Sequence, residues 1–207
     1  MNARARAVVA VVLAGAFIGL LGRGSDHLPD LVRWSAALGA PWLATAFAVG
    51  AFVRHRVLAA FAGGAALTFG VAVYYSVFHW IEGTTSLGYA VIVGTAWGAV
   101  AFVAGGLFAY AGAAWRSGSR QAHLLASGLL AGALIGEAVL LLTHWSNPTA
   151  RAVLMIELVA GAAVPLVTAK RQELPAAVIL AVVFALAVVE SEQYARAAMR
   201  VFGWAGA

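Results

Sequence analysis

The chain has 207 residues, 63% of them hydrophobic and only 10% charged, with a net charge of +5; its mean hydropathy is +0.92. A soluble domain is about half apolar and about a quarter charged, so this composition excludes one and points to a polytopic membrane protein. There is no cysteine, which excludes disulfides, zinc–thiolate sites, iron–sulfur clusters and thiol nucleophiles.

A membrane span needs about 20 mostly apolar residues, fewer where flanking arginines snorkel. The chain reads as an all-α transmembrane bundle of seven spans in a single domain, at 6–22, 39–53, 57–80, 89–114, 122–145, 152–169 and 174–190. The first lacks an A-x-A cleavage site and has a long apolar core, so it reads as a span and not a signal peptide. The connection 23–38 is the longest, and its 28–37 part has the character of a short interfacial helix. The second span is short and contains Pro41; if it fails to cross, the count is six. The tail 191–207 continues as an amphipathic helix, with Glu192 and Arg196 spaced as a supporting i, i+4 pair.

Basic residues set the orientation. With the N-terminus in the cytoplasm, one side holds eight basic residues (Arg4, Arg6, Arg54, Arg56, Arg116, Arg120, Lys170, Arg171) and one acid, Glu173. The other side balances five arginines against five acids. The expected location is therefore a bacterial cytoplasmic (inner) membrane, with the C-terminus outside. The positive charge is a topology signal and not a nucleic-acid footprint. Twelve arginines to one lysine, with abundant alanine, suit a bacterial genome rich in G+C.

After the first span the chain falls into three hairpins with basic inner turns, RHR, RSGSR and KRQE. Two outer ends carry His-Trp, at 79–80 and 144–145. Duplication of a hairpin explains this, and so does the ordinary preference of Trp and His for interfaces. Glycines recur every fourth residue: Gly15 and Gly19, Gly94 and Gly98, and Gly128, Gly132 and Gly136. In lipid, helices associate through close backbone contact, so such glycine zippers pack helices inside the bundle or form a homo-oligomer face. Span 1 is the expected outward face.

Two acids lie well inside the spans, Glu137 and Glu157. Helix rise puts them about 10 Å and about 8–9 Å below the outer end. They sit on consecutive spans joined by SNPTAR, hence on antiparallel neighbours at matched depth. Glu137 aligns with His144 seven residues on, and Tyr75 aligns with His79 at i, i+4. The expected site is an outward-facing polar pocket of Glu137, Glu157, Tyr74, Tyr75, His79 and His144. Two bare carboxylates in low dielectric must share a proton or hold a cation. Such a pocket suits proton coupling, metal binding through Glu137, Glu157, His79 and His144, or capture of an amine-bearing solute. The plainer account is a carboxylate locked to Arg151, Arg23 or a tyrosine hydroxyl.

Three functional classes stay open: a transport or transport-accessory protein, a non-catalytic assembly subunit of a larger membrane complex, and a metal-dependent membrane enzyme. No catalytic residue is assigned. There is no HExxH motif or P-loop, no nucleophile elbow around Ser127, and no late-span lysine for retinal. His55 and His123 fall at the inner side and His79 and His144 at the outer side, at or beyond the hydrocarbon edge and too far out for haems held in the bundle. The expected partner is the lipid bilayer.

The segments APWLATAFAVGAF, VAVYYSVFHW and IGEAVLLLTHW resemble an uncharacterised family of small multi-pass actinobacterial membrane proteins. The likeness covers roughly 39–170 and rests on Trp42, the pair Tyr74–Tyr75 and Glu137. It implies membership and no mechanism. A weaker resemblance is to the substrate-binding subunits of vitamin importers, carried by the long first outer loop and the pairs Ala3-xxx-Ala7 and Ala10-xxx-Ala14. Those proteins have six spans.

Overall fold

The computed structural model describes residues 2–25, 29, 39–144 and 147–204. Among them there are seven helices and no strand. In chain order they are α1 (Ala3–Gly24), α2 (Gly39–Val53), α3 (Arg56–Ser76), α4 (Leu87–Ser117), α5 (Arg120–His144), α6 (Pro148–Thr168) and α7 (Leu174–Val201). A π-helical turn, Val77–Ile81, extends α3. Apart from residue 29, the interfacial helix expected at 28–37 lies outside the described residues, as does Trp145.

Six helices are long and apolar enough to cross a membrane. The seventh, α2, has 15 residues, or about 22 Å, against a hydrocarbon core of about 30 Å. The second segment, expected to be short, is thus the one helix among the described residues that falls below the length of the other six. The two hairpins that end in His-Trp also differ: α3 finishes in a π turn, whereas α5 stays α-helical to His144.

The bundle has two parts. Helices α1 to α4 pack together, with α2 against all three of the others, while α5 packs on both α6 and α7. The parts meet where α5 touches α4 and α2, and where α7 touches α4. Large apolar side chains such as Leu13, Phe17, Phe61, Val103 and Val159 point outward. The interior is rich in alanine, with Ala46, Ala59, Ala66, Ala109 and Ala131 fully enclosed. Small residues inside and large ones outside suit a bundle whose solvent is lipid.

The glycine spacing has its physical reason here. A methyl at Gly128 would sit 2.8 Å from Leu180 Cβ, one at Gly132 2.5 Å from Phe184 Cβ, and one at Gly136 2.8 Å from the Ala185 carbonyl oxygen. This stripe of α5 therefore seats α7. Gly15 and Gly19 of α1 lie against the Ala66 and Gly70 carbonyls of α3. Contrary to expectation, the glycines of the first span face inward. Ala7, Ala10 and Ala14 also join an internal cluster with α2 and α3.

Candidate functional site

A helix begins with N–H groups that have no partner within it, and one exposed to hydrocarbon costs several kcal/mol. Helix α2 starts at Gly39, level with Glu137 and so seven residues short of the α5 C-terminus at His144. Its third residue is Pro41, which has no N–H to satisfy. Glu137 answers the first two: its Oε1 accepts from the Gly39 N–H at 2.5 Å and its Oε2 accepts from the Ala40 N–H. The carboxylate also meets the positive end of the α2 dipole. It therefore caps a helix that stops short inside the bundle, and in doing so joins the two parts of the fold.

Glu157 comes up beside it. Gly161, one turn from Glu157 on α6, fits against α5, where a methyl would meet Ile135 at 2.7 Å. That close approach brings Glu157 near enough for the charge of Glu137 to act on it. Both side chains are buried, at 3% and 5% exposure. Glu157 Oε2 is buried and accepts no hydrogen bond from any described group.

A third carboxylate reaches this place from α7. The glycine stripe of α5 holds Leu180, Phe184 and Val188, and Glu192 stands one turn beyond Val188. Glu192 and Arg196 are close enough for their fields to act on Glu137. Arg196 donates to Glu192 from Nε at 2.9 Å and from Nη2 at 2.6 Å. These two side chains are partly exposed, at 20% and 27%. Arg196 also lies over the Trp204 ring at 5.6 Å, and Trp204 packs edge-on against Trp97 at 5.3 Å. The polar cluster thus runs from enclosed Glu157 and Glu137 to half-open Glu192 and Arg196.

Of the six residues expected in one pocket, the structure brings Glu137 and Glu157 together. Tyr74, Tyr75 and His79 belong to α3 and its π turn, which approach neither α5 nor α6. There Tyr74 and Tyr75 stack edge-on at 5.2 Å, and Tyr75 meets Tyr89 at 6.4 Å. Arg23 lies over Phe78 at 4.1 Å while its Nε donates to Glu82 at 2.8 Å. Arg23 thus serves the C-terminal end of α3 and its π turn. His79 Nδ1 is 2.8 Å from the Thr85 carbonyl, and His144 Nδ1 is 3.0 Å from the Leu140 carbonyl. Among the described residues no three His, Asp or Glu side chains converge as metal ligands, so the set Glu137, Glu157, His79 and His144 is not assembled.

Sequence reasoning missed Glu192, Arg196 and the α2 N-terminus as members of the site. One signal for the last was present. A 15-residue apolar segment with proline third cannot span on its own, so its first N–H groups need an acceptor at depth. Few acids are placed to supply one.

A family model described as a family of unknown function, DUF6518, matches residues 1–197, and the chain belongs to that family. No curated protein and no solved structure matches the chain.

Proposed function

For this member of a family of unknown function, we propose a multi-pass protein of the bacterial inner membrane, with its N-terminus in the cytoplasm and its C-terminus outside. It binds a small cation, first of all a proton, at the outward-facing cluster of Glu137, Glu157 and Glu192, in a transport or transport-accessory role. The observation that carries this reading is the unpartnered Glu157 Oε2 beside Glu137. Ionised carboxylates only accept hydrogen bonds, so two buried side by side repel, and a proton on one relieves both the repulsion and the unmet oxygen. Charge balance agrees: three carboxylates face one guanidinium and a helix N-terminus equivalent to about half a charge. The deficit is on the order of one to two charges, which low dielectric does not tolerate. The rise in exposure from Glu157 to Arg196 supplies a route from the outer side.

A second reading, an assembly subunit without a ligand, is favoured by one observation. Both oxygens of Glu137 are used in capping α2, and the cavities lined by Arg6 and Arg116 and by Phe69 and Trp80 lie elsewhere.

Thermal unfolding of the detergent-purified protein from about pH 5 to about pH 9 separates the two. A fold that holds a proton which the unfolded chain releases loses stability as pH rises. Wild type should therefore melt progressively lower across this range. Glu157→Gln, which supplies a permanent N–H toward Glu137, should flatten the slope. Equal profiles for the two proteins refute the shared proton and leave the assembly role.

A further inference from the structure

The opposite end of the bundle holds a second candidate site, unconnected to the carboxylates. A cavity of about 530 Å³ is lined by Arg6 of α1, Ala51 and Phe52 of α2, Arg54 just beyond α2, and Arg116 of α4. Its volume falls within the range of small-molecule sites, about 300–1,000 Å³. The space exists because α1 and α4 do not approach each other and the α2 between them ends at Val53.

Three features make this more than a basic surface. Arg54 has φ of 69°, the left-handed conformation that residues with a β-carbon rarely adopt. Such a turn persists only where its surroundings hold it. Here the Ser117 hydroxyl, 2.6 Å from the Ala113 carbonyl of its own helix, also lies 3.2 Å from the Arg54 carbonyl, which sets Arg54 against the end of α4 beside Arg116. Second, none of the three arginines makes an ion pair among the described residues. Glu173, the acid at this end, is taken by Arg120, whose Nε donates to it at 2.7 Å. Third, the wall between the guanidiniums is apolar, and Phe52 is exposed on it.

We propose that this cavity binds a phosphate-bearing anion. Guanidinium forks match phosphate oxygens in pairs, and the Ala51–Phe52 wall suits the apolar part of the same molecule. That chemistry comes from two sources, the headgroup of an anionic phospholipid or a free phosphate ester. Basic pockets between transmembrane helices at a membrane surface are suited to the first.

The test titrates the full-length protein in detergent with phosphatidylglycerol, phosphatidylcholine and glycerol 3-phosphate, reading melting temperature and, by native mass spectrometry, retained lipid. Wild type is compared with R6Q/R116Q, which leaves the Arg54 turn intact. The double variant K170Q/R171Q removes the same charge from the same end outside the cavity. Phosphatidylglycerol should raise the melting temperature of wild type and of K170Q/R171Q. R6Q/R116Q should bind about 30-fold more weakly, the worth of two arginines at headgroup level. Stabilisation by phosphatidylglycerol alone identifies the lipid, and equal stabilisation by glycerol 3-phosphate identifies a soluble ester; either supports the site. Equal weakening in both double variants, or equal binding of phosphatidylcholine, overturns it, because bulk charge or bulk lipid would then explain the effect.

Discussion

Replacing Glu137 by alanine removes the acceptor of two backbone N–H groups, those of Gly39 and Ala40. Glu137 is 3% exposed, so water does not replace it. Each buried donor left without a partner costs about 1–3 kcal/mol, which puts Glu137→Ala at roughly 2–6 kcal/mol. Glutamine keeps one accepting oxygen, so Glu137→Gln should lose roughly half as much. A change of 1 kcal/mol moves the midpoint of a domain of this size by roughly 2–4 °C, so the series is resolvable by thermal unfolding in detergent. Gly39→Ala is the control. Its methyl would lie 3.4 Å from Glu137 Oε1, an ordinary contact, and it should melt close to wild type. Hydrogen exchange at the start of α2 should rise in Glu137→Ala ahead of the rest of the bundle. If Glu137→Ala melts within a degree of wild type, the capping account of Glu137 is wrong.

Two further outcomes are expected. Gly132→Ala places a methyl 2.8 Å from the Ala185 backbone nitrogen, so α7 must move away at a cost of about 1–3 kcal/mol; Gly88→Ala, which meets nothing within 4 Å, should leave the melting temperature nearly unchanged. Because the chain has no cysteine, single cysteines report topology without background. Ser119→Cys should react with impermeant maleimide only after spheroplasts are opened, and Thr84→Cys should react in intact ones; the reverse pattern refutes the proposed orientation.

Much of the fold is legible along the chain because lipid imposes a simple condition. A segment that crosses must be apolar and helical over its length, since nothing in hydrocarbon satisfies bare backbone groups. The expected 39–53 coincides with Gly39–Val53, and the other expected segments fall within helices to within a few residues, α3 together with its π turn, while α7 runs on past 190 to Val201. The depth of Glu137 and Glu157 follows from helix rise alone, and their meeting from the short link between α5 and α6. Which other helices come close to them does not follow. Helix rise places Tyr74 and Tyr75 at a similar depth, with His79 one turn further along, yet depth is one coordinate of three, and α3 belongs to the other part of the bundle. Only packing decided that the stripe Gly128–Gly132–Gly136 would seat α7 and so deliver Glu192 and Arg196 to the cluster. The carboxylate inside α5 has a reason that resides almost a hundred residues away, at the start of a 15-residue helix. Local sequence determines which backbone groups need a partner; the tertiary arrangement determines which side chain answers them.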